Sequence, residues 1–109
     1  MSLRIDKVSE LLRQEISSLI FKELDFSREV IITVTRIKTF SDLSRVIVWV
    51  SVIPFSKAEE VLKILDYHKF NIQKLLDKKL KMKIVPKIKF KLDISGEKAS
   101  KVEKLLKNA

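Results

Sequence analysis

The chain has 109 residues, the length of one domain, and its 46% hydrophobic and 34% charged residues suit a compact globular protein. It has no cysteine, which excludes disulfides and thiolate metal sites, and no apolar run near the roughly 20 residues that span a membrane. Net charge is +9, and all of it belongs to the second half: residues 1–60 hold nine basic and nine acidic side chains, whereas residues 61–109 hold fourteen lysines against five acids.

From Leu3 to Leu24, Ile5, Val8, Leu12, Ile16, Leu19, Ile20 and Leu24 recur at three- and four-residue steps and predict one amphipathic helix. Asp25-Phe26-Ser27 ends it. The β-branched run from Val30 to Lys38 predicts a strand, and a turn follows at Ser41-Asp42-Leu43. Arg45 to Ile53 predicts a second strand with Val46, Val48, Val50 and Val52 on one face. So short a connection implies an antiparallel hairpin.

Pro54 stops the second strand, and Ser56-Lys57-Ala58-Glu59 fits a capping box that opens a helix carrying Val61, Leu62 and Leu65. The pattern predicts a break near Tyr67-His68-Lys69 and a further helix with Ile72, Leu75, Leu76 and Leu80. A third strand is expected from Lys81 to Asp93, with Met82, Ile84, Ile88, Phe90 and Leu92 toward a core and lysines toward solvent. Pro86 lacks an N–H and favours a strand end or edge. Ser95-Gly96 ends the strand, and Val102, Leu105 and Leu106 suggest a short C-terminal helix. The expected order is α-β-β-α-α-β: an α+β domain with a three-stranded sheet covered by helices on one face.

On the helix after the expected break, Lys74, Lys78 and Lys81 fall at i, i+4 and i+7, opposite Ile72, Leu76 and Leu80, and Phe70 precedes them on the same stripe. Lysines late in a helix gain from its dipole. Three like charges at helical spacing still repel with no acid on that stripe, and a phosphate backbone would relieve them. A solvated face and a nucleic-acid surface both fit this pattern; the charge asymmetry favours the second.

Catalysis has little to build on. His68 is the only histidine, Ser41-Asp42 has no base beside it, Glu59 and Glu60 suit a helix N-terminus, and Gly96 alone cannot make a phosphate loop. Trp49 shares a face with Ile47 and suits packing more than base stacking. No enzyme activity, metal or cofactor is expected.

Several segments together carry a resemblance. Arg4, Lys7, Val8 and Gln14-Glu15-Ile16 lie in the first helix, Ser41-Asp42-Leu43 follows the first strand, and VIVWVSV forms the second. Most specific is Val85-Pro86-Lys87-Ile88-Lys89-Phe90-Lys91-Leu92-Asp93-Ile94-Ser95, similar to a V-P-x-L-x-F-x-x-D-x-S signature. In this order and spacing the chain resembles the ribosome-binding factor A family over nearly its full length. The resemblance implies a type II KH-like fold in one domain, residues 1–109, with 95–109 as a semi-independent helical tail. The family's Ala-x-Gly kink falls here on His68-Lys69-Phe70, where neither small residue is present.

The resemblance also implies a non-enzymatic assembly and cold-adaptation factor, expected to be a monomer and, from a chain with no membrane span or signal-peptide core, cytoplasmic. Its partners would be the immature small (30S) ribosomal subunit and the 16S rRNA precursor near its 5′-terminal helix, with a role in late maturation and rRNA processing and no membrane contact. The RNA-binding residues would be Arg4, Lys7, Lys69, Asn71, Gln73, Lys74, Lys78, Lys81 and Lys83. A generic KH-like single-stranded nucleic-acid-binding module and a protein-interaction module are the alternatives.

Overall fold

A computed structural model describes residues 3–26 and 28–94. The tail helix expected beyond Gly96 lies outside the described residues. The order of elements is α1 (Leu3–Glu23), β1 (Ile31–Thr39), β2 (Arg45–Ile53), a 3-10 turn (Phe55–Lys57), α2 (Ala58–Lys79) and β3 (Lys87–Leu92). The fold is α+β, with a three-stranded sheet in the order β1-β2-β3; β1 runs antiparallel to β2, and β3 runs parallel to it. A parallel neighbour needs a long crossover, which α2 supplies.

The core forms where the helices meet one sheet face. Leu12, Ile16, Leu19, Ile20 and Leu24 of the first helical stripe are buried, as are Val46, Val48, Val50 and Val52 of β2 and Val61, Leu65, Ile72 and Leu76 of α2. Each such side chain stabilises the fold by about 1.5–3 kcal/mol relative to exposure. Ile53–Pro54 is a cis peptide.

The polarity of β1 breaks parity part-way along. Ile32 and Val34 pack on the core, yet strict alternation would send Arg36 and Lys38 in after them. A register shift between Val34 and Arg36 leaves Thr35 as an extra residue, so Ile37 packs on the core, Thr39 is buried, and both cations face out. The Thr35 hydroxyl donates to the Asp93 carboxylate just beyond β3, and Asp93 N–H donates to Val50 C=O at 2.7 Å. The Ser9 hydroxyl donates to Thr39 Oγ1 at 2.7 Å, joining α1 to the end of β1.

The hairpin turn is as expected at Asp42. Its Oδ1 accepts from Ser44 N–H at 3.0 Å and Ser44 Oγ at 2.7 Å. These bonds, the hydroxyl's first, hold its carboxyl below the usual carboxylate range. Leu43 takes the left-handed conformation at φ 60°, and its N–H reaches Phe40 C=O at 2.8 Å.

Three expectations need correction. The capping box does not form: Pro54, extended at φ −72° and ψ 149°, caps the 3-10 turn, which places Ser56 inside that turn. The two helices around Tyr67-His68-Lys69 are one, since α2 runs unbroken from Ala58 to Lys79 with no glycine or proline to interrupt it. His68 and Lys69 are half-buried and continue the stripe between Leu65 and Ile72. The third strand is shorter than expected, because its register begins at Arg45↔Lys87, where β2 itself begins. Residues 81–86 have no strand to pair with, and Ile84 is 57% exposed instead of docked.

Candidate nucleic-acid interface

The packing sets which lysines can meet a ligand. Burial of Ile72, Leu76 and Leu80 turns the opposite side of α2 outward. Lys74 and Lys78 stand there one turn apart, both exposed. Lys81 does not extend their helical row as the spacing implied. Leu80 leaves the helix at φ −89° and ψ 132° while its N–H still bonds Leu76 C=O at 2.9 Å, so Lys81 and Lys83 project from the loop leading to β3.

The same stripe carries two aromatic rings upstream. Tyr67 is 83% exposed and Phe70 is 79% exposed. Such rings normally seek burial, and here two stand exposed beside the lysine row. Tyr67 was hidden in sequence by the expected break; once α2 is continuous, its three-residue spacing from Phe70 places both on one side. Asn71 is exposed nearby and Lys69 is half-buried.

Gln73 has a different role from the one its polarity suggested. Its Nε2 donates to Pro86 C=O at 3.0 Å and to Asp77 Oδ1 at 3.1 Å, while its Oε1 accepts from Ile88 N–H at 2.8 Å. The amide is committed to β3 and orients the lysine-bearing end of α2.

The middle of α1 meets this end of α2. Glu15 pairs with Lys79 across the helices at 3.0 Å. The second turn of α1 lies near the end of β1, through Ser9 and Thr39, and the last turns of α2 lie near the start of β3, through Gln73 and Ile88. Since β1 ends where β2 and β3 begin, Arg4 and Lys7 occupy the same end of the sheet as Lys78, Lys81 and Lys83. Lys7 sits about 12 Å along α1 from Glu15, by helical rise. Among the described residues, none of Arg4, Lys7, Lys69, Lys74, Lys78, Lys81 and Lys83 forms an ion pair. No cluster of three metal-ligating side chains occurs among the described residues, and no helix there is long and apolar enough to cross a membrane.

A family model described as ribosome-binding factor A matches residues 4–106. The chain belongs to the ribosome-binding factor A family. It is 36% identical over 110 residues to ribosome-binding factor A of Chlorobium phaeobacteroides, covering 98% of this chain and 94% of that one. It is 39% identical over 112 residues to that of Chlorobaculum tepidum, covering 99% and 92%. The fold matches the crystal structure of ribosome-binding factor A from Thermus thermophilus with a TM-score of 0.71 at 19% identity, covering 81% and 93%. A homology model of the Thermus thermophilus factor, fitted into a cryo-electron-microscopy map of a complex with 30S, matches with a TM-score of 0.66 at 20% identity, covering 85% and 94%. Ribosome-binding factor A is a non-enzymatic factor of ribosome biogenesis.

Proposed function

We propose that the chain binds the immature 30S subunit and its 16S rRNA precursor near the 5′-terminal helix, and assists late maturation and rRNA processing without catalysing a reaction. The observation that carries this reading is the cation cluster at one end of the fold, Lys74, Lys78, Lys81 and Lys83 with Arg4 and Lys7, none of which forms an ion pair among the described residues. The factor fitted into the 30S map supports the choice of partner. We also assign the architecture to the type II KH-like class, supported by its opening helix, hairpin, long helix and final strand. Here one continuous α2 stands in place of that class's helix pair.

In this mechanism the lysines neutralise rRNA phosphates and fix register, with Lys69 and Asn71 at the margin. Tyr67 and Phe70 stack unpaired bases. Holding one rRNA conformer shifts its population in proportion to the difference in affinity, with no fuel required. The protein acts as a cytoplasmic monomer, and such a mechanism suits cold adaptation, where misfolded RNA persists.

The test is sedimentation of lysate through a sucrose gradient at low and moderate salt. The protein should travel with small-subunit precursors and leave them on the order of a thousandfold more readily as salt rises. A protein that stays at the top of the gradient even in dilute buffer would overturn the proposal. Equal affinity for the precursor and for any single strand of like length would instead identify a generic single-strand binder.

A further inference from the structure

The sheet face turned away from the helices is also cationic. The bulge at Thr35 sends Arg36 and Lys38 of β1 to this face, and β2 contributes Arg45, Ile47 and Trp49. Register then aligns the residues into rows across the strands: Lys38, Ile47 and Lys89 in one, Arg36, Trp49 and Lys91 in the next, with Arg45 beside Lys87 at the end. Arg36, Lys38, Arg45, Lys87, Lys89 and Lys91 are all exposed, and none forms an ion pair among the described residues.

Asp42 and Asp93 border the face and are engaged, and at the β1 edge Asp6 and Glu10 of α1 line a cavity with Arg36 and Lys38, Glu10 being paired with Arg13. Asp93 accepts from Thr35, and Asp42 accepts from Ser44. Arg45 and Lys87 are like charges directly opposite on neighbouring strands, a pairing that costs stability unless an anion covers it. The cations are also held in place. The Arg36 guanidinium lies 4.0 Å from the centre of the Trp49 ring, and Arg45 lies 4.4 Å and Lys38 5.4 Å from that of Phe40. Lys87, Lys89 and Lys91 repeat every two strand residues, about 6.6 Å, on the scale of the spacing between phosphates in a nucleic-acid strand.

We infer that the open face of the sheet is a second RNA-binding surface, taking the sugar–phosphate backbone of a ribosomal RNA strand along β3, separate from the cluster at the end of α2. This rests on the reading that the partner is ribosomal RNA. The occupant is a phosphate strand because the face offers charge at regular spacing, and the ring of Trp49 is already covered on one side by Arg36. A protein that binds RNA at both places bridges two rRNA segments, which a single-site binder cannot do.

Trp49 is the only tryptophan and sits in the middle of this face, so its fluorescence reports occupancy there. Titration with a short oligouridylate at low salt should quench it. The quench should persist in K74Q/K78Q/K81Q and disappear in K87Q/K89Q/K91Q, all of whose changes are at exposed positions. In the second variant the slope of log affinity against log salt should fall by about 2, given roughly 0.7 per single-strand phosphate contact. An unchanged Trp49 signal while the oligonucleotide binds would overturn the inference and leave the α2 site standing. A quench by polyglutamate but not by oligouridylate would also overturn it, in favour of an acidic protein surface. Loss of subunit binding only in K87Q/K89Q/K91Q would support the sheet face and overturn the α2 site instead.

Discussion

The side-chain amide of Gln73 is bonded to the main chain around Ile88 as a neighbouring strand would be, accepting from Ile88 N–H at 2.8 Å and donating to Pro86 C=O at 3.0 Å. It ties the last turns of α2 to the first residue pair of β3, at the point where the lysine cluster leaves the helix. Replacing Gln73 by Ala leaves a part-buried N–H and carbonyl without these partners, a cost of about 1–3 kcal/mol. Urea titration should show a lower midpoint with an unchanged slope. RNA affinity measured well below the unfolding midpoint should change far less than on loss of a lysine pair.

The bulge makes a sharper prediction. Deleting Thr35 removes the extra residue, so Ile32, Val34 and Ile37 share the core face by plain alternation while Arg36 and Lys38 stay outward. The deletion should therefore still unfold cooperatively, and loss of a cooperative transition would contradict this reading of the bulge. Thr35→Val, which keeps the extra residue and loses the hydroxyl's bonds to Asp93 and Trp49 C=O, should cost about 1 kcal/mol. Circular dichroism melts of the two variants separate these outcomes.

Much of this fold was legible in sequence because the pattern was redundant. The stripe from Ile5 to Leu24 and the four valines of β2 each repeat a period several times, and both read correctly. The errors arose where one residue's environment depends on a distant partner. His68 and Lys69 are polar, so the periodicity implied a break, but Leu65 and Ile72 on either side hold them against the core. The alternation from Lys81 reads as strand throughout, yet a strand exists only where β2 offers a partner, from Arg45 onward. At the candidate site, exposure of Lys74 and Lys78 followed from the helical period. The engagement of Gln73 with β3 did not, since that contact spans 15 residues.

Because the family's small-residue kink is absent, glycine should be a perturbation here. Phe70→Gly puts the most flexible residue in the interior of α2 at a site that is 79% exposed and loses little packing. The cost should be of order 0.5 kcal/mol, the difference between the two residues' helix propensities. Single-strand affinity should fall in addition, by about 1–3 kcal/mol if the ring stacks a base. Chemical denaturation and oligonucleotide titration on the same sample separate the two effects.

Acid should loosen the hairpin. The carboxyl of Asp42 is depressed by its bonds from Ser44, and that of Glu10 by Arg13 and then Gln14. A depressed carboxyl contributes stability that is present above its unfolded value and is lost as pH falls through its folded value. Ser44→Ala removes the principal cause at Asp42, so its titration should move up toward the ordinary range. The stability of this variant should then depend less steeply on pH under acid conditions than that of the parent. Carboxyl chemical shifts followed through an NMR pH titration test the first point, and unfolding at stepped acid pH tests the second.

The most direct measurement is the affinity of the K74Q/K78Q/K81Q variant for immature small subunits at physiological salt, beside the parent protein. Loss of three phosphate contacts should weaken binding at least tenfold and flatten its salt dependence by about 2 logarithmic units in slope. Unchanged affinity and slope, in a variant that melts as the parent does, would contradict the assignment of rRNA binding to the end of α2.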